Sequence, residues 1–311
     1  MGLMLGIDLG GTKTEAVLLA DDGTVHWRQR IATPTADYSA SLAAITGLVQ
    51  RARAEAGPAV SIGIGTPGTL AADGRMKNCN SQCLNGQYLK RDLESELGEP
   101  VAVANDANCL ALSEATDGAG AGHEVVFAAI LGTGVGGGIA VHGRVLAGPN
   151  GVAGEWGHNP LPWADPNADP RWPCYCGQQA CIETLVSGPG LARDHALRNG
   201  GNLTAAQVAA AAATGADLDA AATLERHAHR LARALASVIN LLDPDVVVLG
   251  GGVSLMPHLY ERVPALWGEW VVSGGVREPV RTRLAQSRFG DSSGVRGAAW
   301  LGRDLERRLG T

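Results

Sequence analysis

Two stretches of this chain, "GIDLGGTKTEAVLL" from Gly6 and "AAILGTGVGGGIAV" from Ala128, share one layout. Each sets a Gly/Thr-rich turn between two apolar runs of strand character. A chain that repeats this layout more than a hundred residues apart reads as a duplicated half. Glycine accounts for 43 of the 311 residues, so tight turns and close backbone approaches are expected throughout.

The segments between the repeats supply the other layer. Asp21–Gly23 ("DDG") is a hairpin signal after the second strand. A helix is expected from about Tyr38 to Ala56, with Leu42, Ile45, Leu48 and Val49 on one face. "AVSIGIGTPG" reads as a buried strand closing on a turn, and "PVAVANDANCLALSEA" as strand, turn and helix with Asn105 and Asp106 at the junction. A long helix from about Asp217 to Leu242 carries Leu224, Ala228, Leu231, Leu235 and Ile239 at helical spacing and ends before Pro244. "DVVVLGGGVS" is a third strand entering a glycine turn, and "GDSSGVRGAAWLGRDLERRL" a terminal helix with a basic tip. Meandering strands followed by alternating helices and strands imply an α/β fold with mixed sheets.

Composition narrows the partners. Net charge is −6 and no long basic run occurs, so a nucleic-acid groove is not expected. The opening residues lack the basic and apolar regions of a secretion signal, and no apolar run reaches 18 residues, so no membrane partner is expected. Six cysteines in such a chain point to a reducing, cytoplasmic setting. Cys109 reads as a small core residue; Cys79 and Cys83 read as loop residues without assigned chemistry.

Three strand-terminal turns can hold phosphates: "DLGGTKT" (Asp8 to Thr14), "LGTGVGGG" (Leu131 to Gly138) and "LGGGVS" (Leu249 to Ser254). Glycine lets backbone N–H groups reach phosphate oxygens with no side chain between. "GIGTPG" and "GTGVGG" both fit G-x-G-x-x-G, but neither opens a helix, so a dinucleotide fold is rejected. "GIDLGGTKT" is no Walker loop, since Thr12 stands where lysine should be. Further along, "PCYCGQQACIE" sets Cys174, Cys176 and Cys181 within eight residues. By itself the trio is compatible with a redox centre, a metal set one ligand short, or chance.

"GIDLGGTKTEAVLL", "NDANCLALSEA", "GTGVGGGI", "GEWGHNPLP", "CYCGQQACIE" and "VVVLGGG" together resemble the ROK family of sugar kinases and repressors, in the family's order from Gly6 to about Leu301. The resemblance implies a two-lobed actin/hexokinase-like (ribonuclease H-like) ATPase fold with duplicated mixed sheets and a central cleft. One lobe would comprise residues 1–118 with a returning helix at about 291–311; the other, residues 119–290, would carry a zinc-binding insertion. "KNCNSQCLNGQYL", "GHNPLPW" and "GDSSGVRGAAWL" are closer still to the family's fructokinase branch.

The same resemblance implies that Gly10, Gly11, Thr12 and Lys13 wrap the ATP phosphates, with Asp8 orienting hydrated Mg²⁺. Gly132, Thr133 and Gly134 would contact phosphates from the other lobe, and Gly250, Gly251 and Gly252 would border the adenosine. Gly68, Asn80, Asn105, Asp106, Glu155, His158 and Glu183 would line the sugar pocket, with Asn85 a weaker addition. Phosphorylating a sugar hydroxyl needs a base beside it, and Asp106 is the residue expected to serve. The plainer alternative makes Asp106 only a helix N-cap.

His158 completes a Cys3His zinc set with Cys174, Cys176 and Cys181, both by ligand count and by the family pattern. Four protein ligands leave no open position, so the zinc is expected to be structural. Ala180 departs from the glycine usual before the last cysteine, and the spacer "NPLPWADPNADPRWP" is longer than in many relatives. The expected activity is ATP:hexose 6-phosphotransfer, forming fructose 6-phosphate from D-fructose. Two alternatives stand beside it: a kinase for N-acetylglucosamine, mannose or glucose, and a sugar-responsive repressor, disfavoured because the first glycine turn begins at Asp8. A homodimer is expected by family likeness.

Overall fold

The structure is a computed structural model that describes residues 2–34, 37–57, 60–276 and 278–310. The first glycine repeat forms β1 (Leu3–Leu9), a turn, and β2 (Lys13–Leu19), paired antiparallel. The Asp21–Gly23 turn, with Gly23 at φ +80°, feeds β3 (Val25–Ala32). Asp37 opens α1 (Tyr38–Ala56) by accepting from the Ser39 and Ala40 N–H groups. β4 (Val60–Thr66) runs parallel to β1. The short ribbon of β5 (Thr69–Leu70) and β6 (Met76–Lys77), then α2 (Leu89–Leu97), leads to β7 (Ala102–Asn105). α3 (Asp106–Thr116) starts at the next residue. The strand order is β3-β2-β1-β4-β7.

The second repeat forms β8 (Val125–Leu131), β9 (Val135–Val141) and β10 (Arg144–Val145). Four helices follow: α4 (Ile182–Val186), α5 (Gly188–Asn199), α6 (Ala205–Ala213) and α7 (Leu218–Leu242). The chain then forms β11 (Val246–Gly250), α8 (His258–Trp267), β12 (Arg283–Gln286) and α9 (Ser293–Leu309). The order β10-β9-β8-β11-β12 matches the first sheet position for position, so the expected duplicated mixed sheets are present. No helix among the described residues is long and apolar enough to cross a membrane.

Two compact units result. One holds the chain up to Gly122, Gly138–Ala153 and the stretch from Asp291 onward; the other holds His123–Gly137 and Gly154–Gly290. In the first, alternation along β1 divides two packing layers. Leu5, Ile7 and Leu9 face a core shared with Ile45, Leu48, Leu89 and Leu93 of α1 and α2. Met4 faces the opposite layer with Leu112 of α3 and Val295, Ala299 and Trp300 of α9. Gly6 and Asp8 share Met4's side of the strand. A Cβ on Gly6 would lie 2.0 Å from the Val295 carbonyl, and one on Gly63 would lie 1.8 Å from that of Ala298. These glycines let the backbone of α9 rest directly on the sheet.

In the second unit, α7 is capped at its start by Asp217 and ends on Asp243 in the left-handed conformation, before Pro244. Its buried face carries two arginines that hydrophobic spacing did not reveal. Arg230 donates to Asp169 (2.8 Å), Asp194 (3.0 Å) and the Ala168 carbonyl (2.8 Å). Arg233 donates to Asp169 (2.8 Å) and the Trp163 carbonyl (2.7 Å). The long spacer before Cys174 is therefore clamped to α7. Removing one partner from such a buried pair costs about 3–5 kcal/mol.

Candidate active site and metal centre

The turn between β1 and β2 is closed by the Gly10 N–H donating to the Lys13 carbonyl at 3.1 Å. Thr33 braces it: its N–H donates to the Thr12 carbonyl at 3.0 Å and its hydroxyl to that of Gly10 at 2.8 Å. Gly11, Thr12 and Lys13 are exposed. A Cβ on Gly11 would meet nothing within 4 Å among the described residues, so the backbone there is open to a ligand. The turn joins strand to strand, as the rejection of a Walker loop requires. The Lys13 ammonium lies 3.6 Å from Asp291.

Asp8, at the end of β1, sits between two glycines. Cβ atoms on Gly65 and Gly294 would approach its carboxylate to 3.6 and 3.3 Å. Burial first, then the charges of Asp106 and Glu15, push its carboxyl up to about 7, against the opposing pull of Lys13 and Arg30. A partly dry carboxyl raised by burial and by neighbouring carboxylates is an electrostatic setting that a divalent cation relieves. The residues present thus fit a hydrated Mg²⁺.

Asp106 is the first residue of α3, and the cap is its neighbour: the Asn105 side chain accepts from the Ala107 N–H at 2.8 Å. The N-cap reading of Asp106 is therefore corrected. Asp106 also accepts from the Ala107 N–H, at 2.7 Å. At this position the helix dipole favours the ionised form. Asn105 uses its carbonyl oxygen in capping, which leaves its amide NH₂ as the group it can offer a sugar.

Gly68 is buried where the backbone of residues 77–79 crosses it; a Cβ would lie 2.4 Å from Cys79 Sγ and 2.5 Å from the Lys77 carbonyl. Asn85 is a clamp. Its side chain accepts from the Cys79 N–H at 2.9 Å and donates to the Cys79 carbonyl at 3.0 Å, which fixes the loop that presents the exposed Asn80. Its amide is also shared with the Gln82 side chain at 3.2 Å, so these local bonds argue against Asn85 as a sugar partner. Cys79 is 3% exposed and Cys109 1% exposed, and burial raises both thiols, Cys79 to about 11.

In the second unit, Gly132 and Gly134 close the β8–β9 turn by a bond of 3.0 Å, with Thr133 exposed at its tip. Gly250 ends β11; Gly251 follows at φ +82°, where a Cβ would lie 2.5 Å from the Leu131 carbonyl. Cβ atoms on Gly132 and Gly252 would meet nothing within 4 Å among the described residues. The third glycine turn thus packs on the second, and both leave backbone uncovered.

His158, Cys174, Cys176 and Cys181 converge, with ligand atoms all within 4.8 Å of one another. His158 Nδ1 lies 3.6 Å from Cys174 Sγ, and Cys176 Sγ lies 3.6 Å from Cys181 Sγ. A tetrahedron with zinc bonds of ordinary length has edges of roughly 3.5–3.8 Å, so the set fits the ion. Burial and the neighbouring thiols push Cys181 up to about 12, and burial raises Cys174, whereas the Gln178 backbone N–H lowers Cys176. A dication would turn such thiols into thiolates. Ala180 stands at φ +60°, a left-handed conformation that explains why glycine suits this position.

Glu155 and His158 lie on one short helical turn, both half-buried. Glu183, in the first turn of α4, reaches two ways: one oxygen accepts from the Val135 N–H at 2.9 Å, just past the β8–β9 glycine turn, and the other lies 3.8 Å from Cys174 Sγ. The cysteine cluster and that turn are thereby joined through one carboxylate. Sequence reading missed Tyr175. Its hydroxyl meets His158 Nε2 at 3.0 Å.

Comparison with known proteins places these features in one lineage. An N-acetyl-D-glucosamine kinase from Photobacterium profundum is 38% identical over 301 residues, covering 95% of this chain and 98% of that protein. An N-acetylgalactosamine kinase from a Shewanella species is 37% identical over 304 residues, covering 97% of each. The crystal structure of a ROK hexokinase from Thermus thermophilus superposes with a TM-score of 0.84 at 32% identity, covering 99% of both chains. These relatives carry hexokinase and amino-sugar kinase names where the sequence motifs had pointed to a fructokinase. Residues 4–304 match the ROK family, and the chain belongs to that family.

Proposed function

We propose that this protein is an ATP- and Mg²⁺-dependent kinase that phosphorylates the 6-hydroxyl of an N-acetylated hexosamine. The observation that carries the reaction is the pair of carboxylates in the first unit, Asp8 at the end of β1 and Asp106 at the start of α3, with the charge of Asp106 helping to push the Asp8 carboxyl up. Asp106 accepts the proton of the sugar hydroxyl as its oxygen attacks the γ-phosphorus, and ADP departs. Asp8 orients the hydrated cation, which when bound neutralises charge on the phosphates. The exposed residues Gly11, Thr12 and Lys13 and the turns at 132–134 and 250–252 offer backbone N–H groups to the nucleotide.

Gly68, Asn80, Asn105, Glu155, His158 and Glu183 supply hydrogen-bond partners to the sugar. The zinc set of His158, Cys174, Cys176 and Cys181 is structural and holds His158 and Glu183 in place. The choice of an acetylated amino sugar over fructose rests on the relatives at 37–38% identity, which are named for N-acetylglucosamine and N-acetylgalactosamine. Fructose becomes the second reading, supported by the branch motifs alone. An ADP-release assay over acetylated and plain hexoses tests the proposal. Turnover with an acetylated hexosamine is expected; no turnover with any hexose would remove the kinase reading.

A further inference from the structure

We propose that Tyr175 belongs to the sugar site: in the unliganded protein its hydroxyl holds the outward nitrogen of His158, and an incoming sugar hydroxyl displaces it. This rests on the kinase reading above. The backbone of Tyr175 is fixed, because it lies between Cys174 and Cys176 in a turn closed by the Cys174 N–H on the Gln178 carbonyl (2.8 Å) and the Gly177 N–H on the Cys174 carbonyl (3.1 Å). Its side chain is barely held. It is 77% exposed and touches His158 by one hydrogen bond of 3.0 Å and an edge-on ring contact at 5.1 Å.

The chemistry at its tip is that of a sugar hydroxyl. His158 has one ring nitrogen facing Cys174 and the other facing Tyr175. A metal held at Nδ1 would leave the proton on Nε2, to be donated outward. The Tyr175 oxygen meets that nitrogen at 3.0 Å and, like a sugar hydroxyl, can both accept and donate. His158 is also one of the second unit's proposed sugar partners. A sugar hydroxyl bound there takes up the same nitrogen, so the two hydroxyls exclude each other. Because the ring is uncovered, it can swing out without disturbing the fold.

The test is Tyr175→Phe, which keeps the ring contact and removes the hydroxyl. Calorimetric titration of N-acetylglucosamine without ATP, sugar KM, ATP KM, kcat and bound zinc would be measured beside the wild type. The sugar Kd and KM should fall about fivefold, the worth of one hydrogen bond between neutral partners. ATP KM, kcat and one zinc per chain should be unchanged. Tyr175→Ser, whose short hydroxyl does not reach His158, should lower the sugar Kd likewise. An unchanged or raised sugar Kd, or zinc loss in the Phe variant, overturns the inference while wild-type turnover keeps the kinase reading intact. A wild type that binds no hexose overturns both.

Discussion

Replacing Asp106 with asparagine separates chemistry from structure in this site. The two side chains are isosteric, and the contacts that open α3 survive the change. Asn105 caps α3, and an amide oxygen at 106 can still accept from the Ala107 N–H as Asp106 does at 2.7 Å. Losing an acidic group from the first turn of a helix costs about 0.3–1 kcal/mol. Against this, the substitution removes a charge that helps push Asp8 up to about 7. The two effects oppose, so the folding free energy should change by less than about 1 kcal/mol. Turnover should not survive: loss of a positioned base typically costs 10²- to 10⁴-fold, and an amide cannot take the proton. ADP release at saturating sugar and ATP gives kcat, and titration of the sugar gives its Kd. The expected result is a fall in kcat of at least about a hundredfold with sugar Kd within about fivefold of wild type. A variant within about threefold of wild-type kcat would refute the base assignment, whatever its stability.

Three further outcomes follow from the geometry. Cys176→Ala, or chelation, should release about one zinc per chain and lower sugar kcat/KM through a loosened His158 and Glu183; native protein that carries no zinc by elemental analysis would contradict the metal centre but not the kinase. Ala180→Val places a β-branched residue at φ +60° in a buried turn and should lower stability by about 2 kcal/mol or more, with Ala180→Gly within about 1 kcal/mol of wild type. Equal melting temperatures for the two variants would show that this turn is not strained. His227, fully buried with Nε2 2.9 Å from the Val186 carbonyl, is pushed down to about 4 by burial. Its folded value lies below its unfolded one of 6.5, so the unfolded chain binds more protons between them and stability falls as pH drops from 6.5 to 4. The loss attributable to His227 should approach about 3 kcal/mol, and His227→Gln should remove it; parallel stability curves for the two proteins would rule the titration out.

What could be read from the sequence was local. The turns at Gly10, Gly132 and Gly250, α1, α7 and the β7–α3 junction follow from patterns within single segments, and the duplication from the likeness of two such segments. At that junction the cap is Asn105, one residue before the Asp106 that the plainer alternative would have made the cap. The convergence of His158 with the three cysteines was legible because metal ligation leaves a residue-type signature as well as a spacing. The unread parts depend on distant partners. Arg230 meets Asp169 and Asp194 across 61 and 36 residues, and nothing local marks it as buried among helical leucines and alanines. Asn85 looked like a sugar partner because amides suit sugars, whereas its bonds to Cys79 are set by the loop's own path. Tyr175 lies between two candidate ligands and drew no reading of its own. Its proposed role depends on where His158 turns its second nitrogen, which no spacing encodes.

The central claim is the substrate class, and one measurement bears on it most directly: kcat/KM for N-acetylglucosamine and for fructose, determined side by side with saturating MgATP. A preference of at least about tenfold for the acetylated sugar, roughly 1.4 kcal/mol of transition-state discrimination, is the predicted result. A preference for fructose would contradict it and restore the reading that the branch motifs suggested.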